Sequence, residues 1–252
     1  QRGIGLASIE YNIPIKPNAK YKIASITKTF TATLIVKAKE EGKLNFEDPA
    51  SKFIPKLDRK FKAISIHQLL THTSGLPHNQ AIADYFLLAT ILEKVYQENY
   101  DKILKTKILN LLNMTSTGST NSLSIIPEMT NGYHLINDDS LVVAPYRNYS
   151  MLKGAGDLYS NSTDLLKWAS AMLNNQLATE TSSFIPNGDF KDNSGRQYGY
   201  GWFIESDDYL KYSHGGGTWG YSSILSLYPK TKTSIIVLSN VSTLPTEAIL
   251  KG

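Results

Sequence analysis

Apolar residues along the chain follow two spacings, and the change between them divides the sequence. Residues 3 to 15 alternate in part and are broken by Pro14 and Pro17, which predicts a strand and a turn. From Ala24 the spacing turns helical: Phe30, Leu34, Ile35 and Ala38 give one apolar face, and Gly42 ends the helix. Ser65 caps a short helix, Ile66 to Leu70, that stops at Thr71-His72-Thr73-Ser74-Gly75-Leu76-Pro77. Asp84 to Gln97 reads as an amphipathic helix through Phe86, Leu87, Ile91 and Val95. Asn99 caps a further helix through Leu112, with Ile103, Leu104, Ile108 and Leu111 inward, and Thr163 caps one from Asp164 to Asn174.

Later residues read as strands: 198–204, 209–213, 219–228 and 234–239, with Pro229 to Lys232 turning the chain between the last two. Strand, helices, then strands predicts an α+β protein, with an antiparallel β-sheet flanked by helices and an inserted mainly helical lobe. The sheet would draw on residues 1–20 and 198–252, the lobe on 43–175. A chain of 252 residues with 41% hydrophobic content can bury one sizeable core, so 1–252 reads as one domain.

Composition narrows the chemistry. The net charge is +4 with the lysines dispersed, which leaves no basic patch for nucleic acid. There is no cysteine, which removes disulfides, a thiol nucleophile and thiolate-bound metal and fits an exported protein. No apolar run reaches the ~18 residues of a spanning helix, and no leader peptide is visible. Because Gln1-Arg2-Gly3 already reads as strand, residues are expected upstream. His67, His72, His78 and His134 lack metal-ligand spacing, so no metal site is expected. His72 and His78 read as structural caps in loops.

Two constellations carry candidate chemistry. Ser25 stands at the mouth of the first helix with Lys28 on the same face, the relationship a hydroxyl nucleophile has to an activating amine. The helix N-terminus favours a developing anion there. Taken alone, Ser-x-x-Lys is equally a capping serine and a solvated lysine. Between two strands lies His214-Gly215-Gly216-Gly217-Thr218-Trp219-Gly220. Three glycines permit close approach to a strand edge, whose N–H groups could join that of Ser25 in an oxyanion hole. His214 would point into the same cleft, to hold a substrate carboxylate or move a proton. A glycine-rich hairpin with a surface histidine is the other reading.

These stretches resemble the serine β-lactamase-like family of class C β-lactamases, D-Ala-D-Ala carboxypeptidases and related esterases. The likeness runs over nearly the whole chain. It rests on Lys22-Ile23-Ala24-Ser25-Ile26-Thr27-Lys28, Glu41-Gly42-Lys43-Leu44 with Asp48-Pro49, and Leu69-Leu70-Thr71-His72-Thr73-Ser74-Gly75-Leu76-Pro77. Gly154-Ala155-Gly156-Asp157-Leu158-Tyr159-Ser160, Tyr198-Gly199-Tyr200-Gly201-Trp202 and His214-Gly215-Gly216 complete it. The resemblance implies a serine hydrolase with Ser25 as nucleophile, Lys28 as its activator and the N–H groups of Ser25 and Gly217 on the oxyanion. It also implies no metal or organic cofactor, and a periplasmic, cell-envelope or secreted location. The substrate would be a small molecule or peptide, with peptidoglycan fragments one candidate. Class C β-lactamases carry Lys-Thr-Gly where this chain has His214-Gly215-Gly216, so a carboxypeptidase or esterase is expected rather than an efficient β-lactamase.

One departure stands out. The family's Tyr-x-Asn, whose tyrosine shares the acid/base work, would fall at Gln80-Ala81-Ile82, and the loop before it is nearly absent between Pro77 and Gln80. Either a loop is missing from the sequence as read, or the protein has a true deletion, or another tyrosine serves. Tyr146-Arg147-Asn148 fits by letter and comes too late in the chain. The rival expectation is therefore an impaired hydrolase fold that binds cell-wall peptides or a protein partner.

Overall fold

The structure is a computed structural model that describes residues 2–76, 80–120, 124–137, 140–178, 187–191, 195–206 and 209–242, without the side chains of 137 and 187–191. Pro77, His78 and most of the 177–196 segment lie outside the described residues.

Along the chain, β1 (Leu6–Ser8), β2 (Ile13–Pro14) and β3 (Tyr21–Lys22) lead through a 3-10 turn, Ala24–Ile26, into α1 (Thr27–Glu40). Then come α2 (Ile66–Leu70), α3 (Gln80–Tyr96) and α4 (Tyr100–Leu104), which a π-helical turn, Lys105–Leu109, extends. Strands β4 (Gly118–Ser119), β5 (Tyr133–Asn137), β6 (Ser140–Val143) and β7 (Leu158–Ser160) precede α5 (Ser162–Leu173). The final strands are β8 (Asn187–Lys191), β9 (Gln197–Tyr198), β10 (Phe203–Glu205), β11 (Lys211–Thr218), β12 (Tyr221–Tyr228) and β13 (Thr233–Ser239).

The last six strands form one antiparallel sheet in the order β13-β12-β11-β10-β9-β8. The 1–20 stretch, expected in this sheet, instead supplies β1 and β2, which among the described strands pair with each other. The strand predicted over 198–204 is a hairpin: Phe203 pairs back to Tyr198, and the Gly199 N–H donates to the Trp202 carbonyl at 2.8 Å. Gly201 makes the turn at φ +84°, a backbone region that favours glycine.

Helix α1 runs through the centre. The predicted apolar residues Phe30, Leu34, Ile35 and Ala38 are buried, and burial extends beyond them: Thr27, Thr29, Thr31 and Thr33 are as buried as Phe30 and Leu34. Burying a polar side chain costs stability unless it is hydrogen-bonded. Here Thr29 donates to the Ile26 carbonyl at 2.8 Å, Thr31 to Gly154 at 2.7 Å and Thr33 to Thr29 at 2.9 Å. The ring of Phe30 stacks on Trp168 of α5 at 4.0 Å between centroids. The helix is thereby held on several sides, and its first turn has a fixed position.

Other boundaries moved for local reasons. Asn161 caps α5, accepting from the Asp164 N–H, so Thr163 lies inside the helix. Asn99 caps α4 as expected, but the π-turn adds a residue and rotates the following side chains, leaving Leu111 64% exposed. Ser65 and Gln68 form a reciprocal capping box on α2.

Candidate active site

The site forms where the start of α1 meets β11. Ala24 takes a positive φ of +46°, an uncommon conformation for a residue with a side chain. It lets the chain turn from β3 into the 3-10 turn that carries Ser25. The turn is anchored on both sides: the Ile23 N–H donates to the Leu158 carbonyl at 2.9 Å, and the Ser223 hydroxyl donates to the Ile23 carbonyl at 3.0 Å.

Lys28 Nζ lies 3.0 Å from Ser25 Oγ and 2.9 Å from the Ala155 carbonyl. The side chain is buried, and burial lowers its pKa to about 8 against a pull upward from Asp84. An amine with that pKa is neutral often enough near neutral pH to take a proton from a hydroxyl. The Ala155 carbonyl, from the Gly154-Ala155-Gly156 loop, holds the amine in place. Its hold on the lysine was not legible in the sequence.

His214 and the glycines were expected in a connection between strands; they lie inside β11. The strand is paired to β12 over its whole length, whereas β10 covers only Lys211 to Ser213. From His214 onward no described strand pairs with the other edge of β11, so alternate main-chain groups there face the cleft. Gly216 backs onto the serine: a Cβ on it would come within 3.1 Å of the Ser25 nitrogen and would overlap the Ile23 carbonyl and Ser223 Oγ. Gly217 is exposed, with open space at its Cα. The structure thus brings Ser25, Lys28, Gly216 and the open edge of β11 together.

His214 does not have the freedom expected of it. It is buried, its Nδ1 is 2.7 Å from the Gly215 carbonyl, and its Nε2 is 3.1 Å from the Tyr198 hydroxyl. A carbonyl only accepts, so Nδ1 carries the hydrogen and Nε2 accepts from Tyr198. Burial first, then the charge of Lys28, pushes its pKa down to about 3. A neutral imidazole cannot pair electrostatically with a substrate carboxylate, which corrects that half of the expectation.

Behind Lys28 lies a polar group that sequence reasoning missed. His72 Nδ1 is 2.9 Å from one oxygen of buried Asp84, and the Ser74 hydroxyl donates to the other at 2.5 Å. The His72 ring lies 4.8 Å from that of Tyr198, and Tyr198 also meets the Tyr85 hydroxyl. Its visible signal was the run Thr71-His72-Thr73-Ser74-Gly75, whose purpose a linear reading does not reveal. His67 meets the Tyr200 hydroxyl at 2.7 Å, and His134 meets Ser242 at 2.5 Å.

At the Tyr-x-Asn position, Gln80 opens α3 and donates to the His72 carbonyl at 2.7 Å. No tyrosine stands there. Tyr146 is 70% exposed. Among the described residues no three metal-ligating side chains cluster, and no helix is long and apolar enough to cross a membrane.

Comparison with known proteins agrees with the motifs. Protein flp of Staphylococcus aureus (strain N315) is 26% identical over 285 residues, covering 96% of this chain and 57% of its own length. The chain therefore spans little more than half of that relative. A penicillin binding protein from Bacillus halodurans superimposes with a TM-score of 0.84 at 23% identity, over 98% of this chain and 89% of its own. A D-amino acid amidase from Ochrobactrum anthropi SV3 does so at 0.82 and 20%, over 94% and 81%. These two show a shared α+β fold. A family model described as Beta-lactamase matches residues 1–251, from before β1 to beyond β13, and on that extent the chain belongs to the Beta-lactamase family.

Proposed function

We propose that the chain is a serine hydrolase that works through an acyl-enzyme on Ser25. The observation that carries this reading is the Ser25–Lys28 contact of 3.0 Å, made by a buried lysine whose pKa is lowered to about 8. Neutral Lys28 takes the Ser25 proton as Oγ attacks a carbonyl carbon. The oxyanion is held by the N–H groups of Ser25 and Gly217. Lys28 then returns its proton to the leaving group, and water repeats the sequence to free the acid.

The bond cleaved is an ester, amide or D-Ala-type peptide bond. Similarity to a penicillin binding protein and to a D-amino acid amidase supports an amide or peptide over an efficient β-lactamase role, and the substrate would be a cell-wall peptide or another small acyl compound met at the cell envelope or outside it. His214 with the Gly215, Gly216 and Gly217 edge of β11 serves as the wall opposite Ser25 and Lys28.

A second reading, a binder of cell-wall peptides that turns nothing over, draws on Gln80 standing where an acid/base tyrosine would be. Intact-mass measurement after exposure to a fluorophosphonate or a penicillin separates the two. One adduct, lost in Ser25→Ala, supports the hydrolase. Affinity for peptide without any adduct favours the binder.

A further inference from the structure

Taking the Ser25 proton would turn Lys28 into an ammonium while the residue is only 3% exposed. Its hydrogen-bond partners, Ser25 Oγ and the Ala155 carbonyl, carry no charge to offset it. A buried charge without an opposite charge nearby is costly. Helix α3 faces the amine: the ring centroid of Tyr85 is 5.7 Å from Nζ. The residue before it, Asp84, is fully buried, and its charge pulls the Lys28 pKa up against the lowering by burial. The other titratable groups that act on or feel this lysine are His72, from the loop after α2, and His214 of β11. Burial pushes the pKa of both imidazoles down, so both are neutral near pH 7 and leave Asp84 as the charge.

The carboxylate is held for that role. Its Oδ2 meets His72 Nδ1 at 2.9 Å, and its Oδ1 accepts from the Ser74 hydroxyl at 2.5 Å. The Ser74 oxygen itself accepts from the Leu76 N–H at 3.2 Å and from Gln80 Nε2 at 3.3 Å, so its own hydrogen is left for Asp84. Gln80 Nε2 also donates to the His72 carbonyl at 2.7 Å, which ties both donors to the start of α3. The His72 ring is wedged between aromatic neighbours, 5.3 Å from Tyr85 and 4.8 Å from Tyr198. Burial raises the Asp84 pKa, and the hydrogen bonds of His72 and Ser74 work against it to keep the group ionised.

We propose that Asp84, clamped by His72 and Ser74, is the fixed counter-charge that stabilises the Lys28 ammonium formed as Ser25 attacks. In that step the Oγ–H bond breaks and an Nζ–H bond forms. Oγ bonds to the carbonyl carbon, and the carbonyl π pair moves onto its oxygen. Among the described residues no ion pair joins Asp84 to Lys28, since both carboxylate oxygens are engaged by His72 and Ser74. That separation matters. A direct pair would hold Lys28 as ammonium and take away the base, whereas a charge at one remove favours the ammonium and leaves the neutral amine accessible. Asp84 is thus a positioning residue that acts through Lys28. Its part in acylation rests on the acyl-enzyme reading, but its effect on Lys28 can be measured without turnover.

The protein is labelled with 13Cε-lysine, the Lys28 signal is assigned by its loss in Lys28→Arg, and its titration midpoint is followed by NMR. Asp84→Asn keeps the shape and removes the charge, and should lower that midpoint by ~1 pH unit or more. The pH at which labelling of Ser25 by a fluorophosphonate reaches half its plateau should fall with it, and the plateau rate should drop by up to ~10-fold, the scale of one pKa unit. Asp84→Glu should keep the midpoint near that of the unaltered protein. Should Asp84→Asn not fold, Ser74→Ala carries the test: with one donor gone the carboxyl keeps its proton more readily, and the Lys28 midpoint should fall in the same direction. A midpoint unmoved in folded Asp84→Asn, or in Ser74→Ala where that variant carries the test, would overturn the proposal. So would slower labelling with the midpoint unchanged, which is the mark of a merely structural role. A midpoint that falls as expected, with no Ser25 adduct in the unaltered protein, would leave the counter-charge standing and remove the hydrolase reading.

Discussion

The Tyr198 hydroxyl lies 3.1 Å from His214 Nε2, between two residues that sit on different strands and are both buried. With Nδ1–H committed to the Gly215 carbonyl, this bond holds the imidazole in one tautomer. Tyr198→Phe would leave Nε2 buried without a donor, at a cost of ~1–3 kcal/mol. The expected outcome is a lower Tm with the Nδ1–H tautomer kept, read from the nitrogen shifts of His214. A change of tautomer would refute the hydrogen-bond assignment.

The pH dependence of Ser25 acylation should follow Lys28. Its neutral form is the base, so the rate should rise with pH and level off above about 8. Lys28→Arg keeps the charge and removes the base, and should slow acylation by ~100-fold or more. Stability has the same sign: a free lysine holds its proton up to its ordinary pKa of 10.5, while the folded one releases it near 8. Between those values the unfolded chain binds more protons, so this contribution grows as pH rises through the window. A flat acylation profile from pH 6 to 9 would exclude Lys28 as base.

Neighbouring glycines of β11 should respond differently to the same methyl group. A Cβ on Gly216 would press on Ser223 Oγ at 2.5 Å and on the Ser25 nitrogen at 3.1 Å, whereas one on Gly217 meets open space. Gly216→Ala should displace the serine and cost ~100-fold in acylation, the scale of one lost oxyanion donor. Gly217→Ala keeps its N–H and should alter stability by no more than ~0.5 kcal/mol. Equal effects in a probe-labelling assay would contradict the packing described for Gly216.

Asp157 is buried, and burial raises its pKa to about 7 from the ordinary 3.8. Its Oδ1 accepts the Gly154 N–H at 3.0 Å, which fixes the loop that carries Ala155 toward Lys28. The folded state binds more protons between those values, so this residue lowers stability as pH rises from about 4 to 7. Asn at this position retains the acceptor without the charge. Asp157→Asn should therefore raise Tm at pH 8 relative to pH 4; thermal melts at the two pH values check it, and an equal change at both would contradict it.

Much of the site was legible because it is local. Ser25 and Lys28 are three residues apart, so one turn of chain sets their separation whatever the rest of the protein does. The glycine run was legible for a similar reason, since glycine is the residue that permits close approach. Hidden contacts join distant residues: Lys28 to Ala155 across 127 positions, His72 to Asp84 across 12 and Tyr198 to His214 across 16. Helix α1 shows the same limit, since the burial of its threonines depends on the elements packed around it, and the Thr31 acceptor, the Gly154 carbonyl, lies 123 positions away.

By itself, then, the sequence determined the α+β order, the serine–lysine pair, the glycine edge and the family. These follow from short-range geometry and side-chain type. Only the tertiary structure decided that burial disfavours a charged His214 and that the Ala155 carbonyl steers the lysine. Charge state and pairing depend on burial and on which groups meet across the fold, and neither is set until the chain has packed.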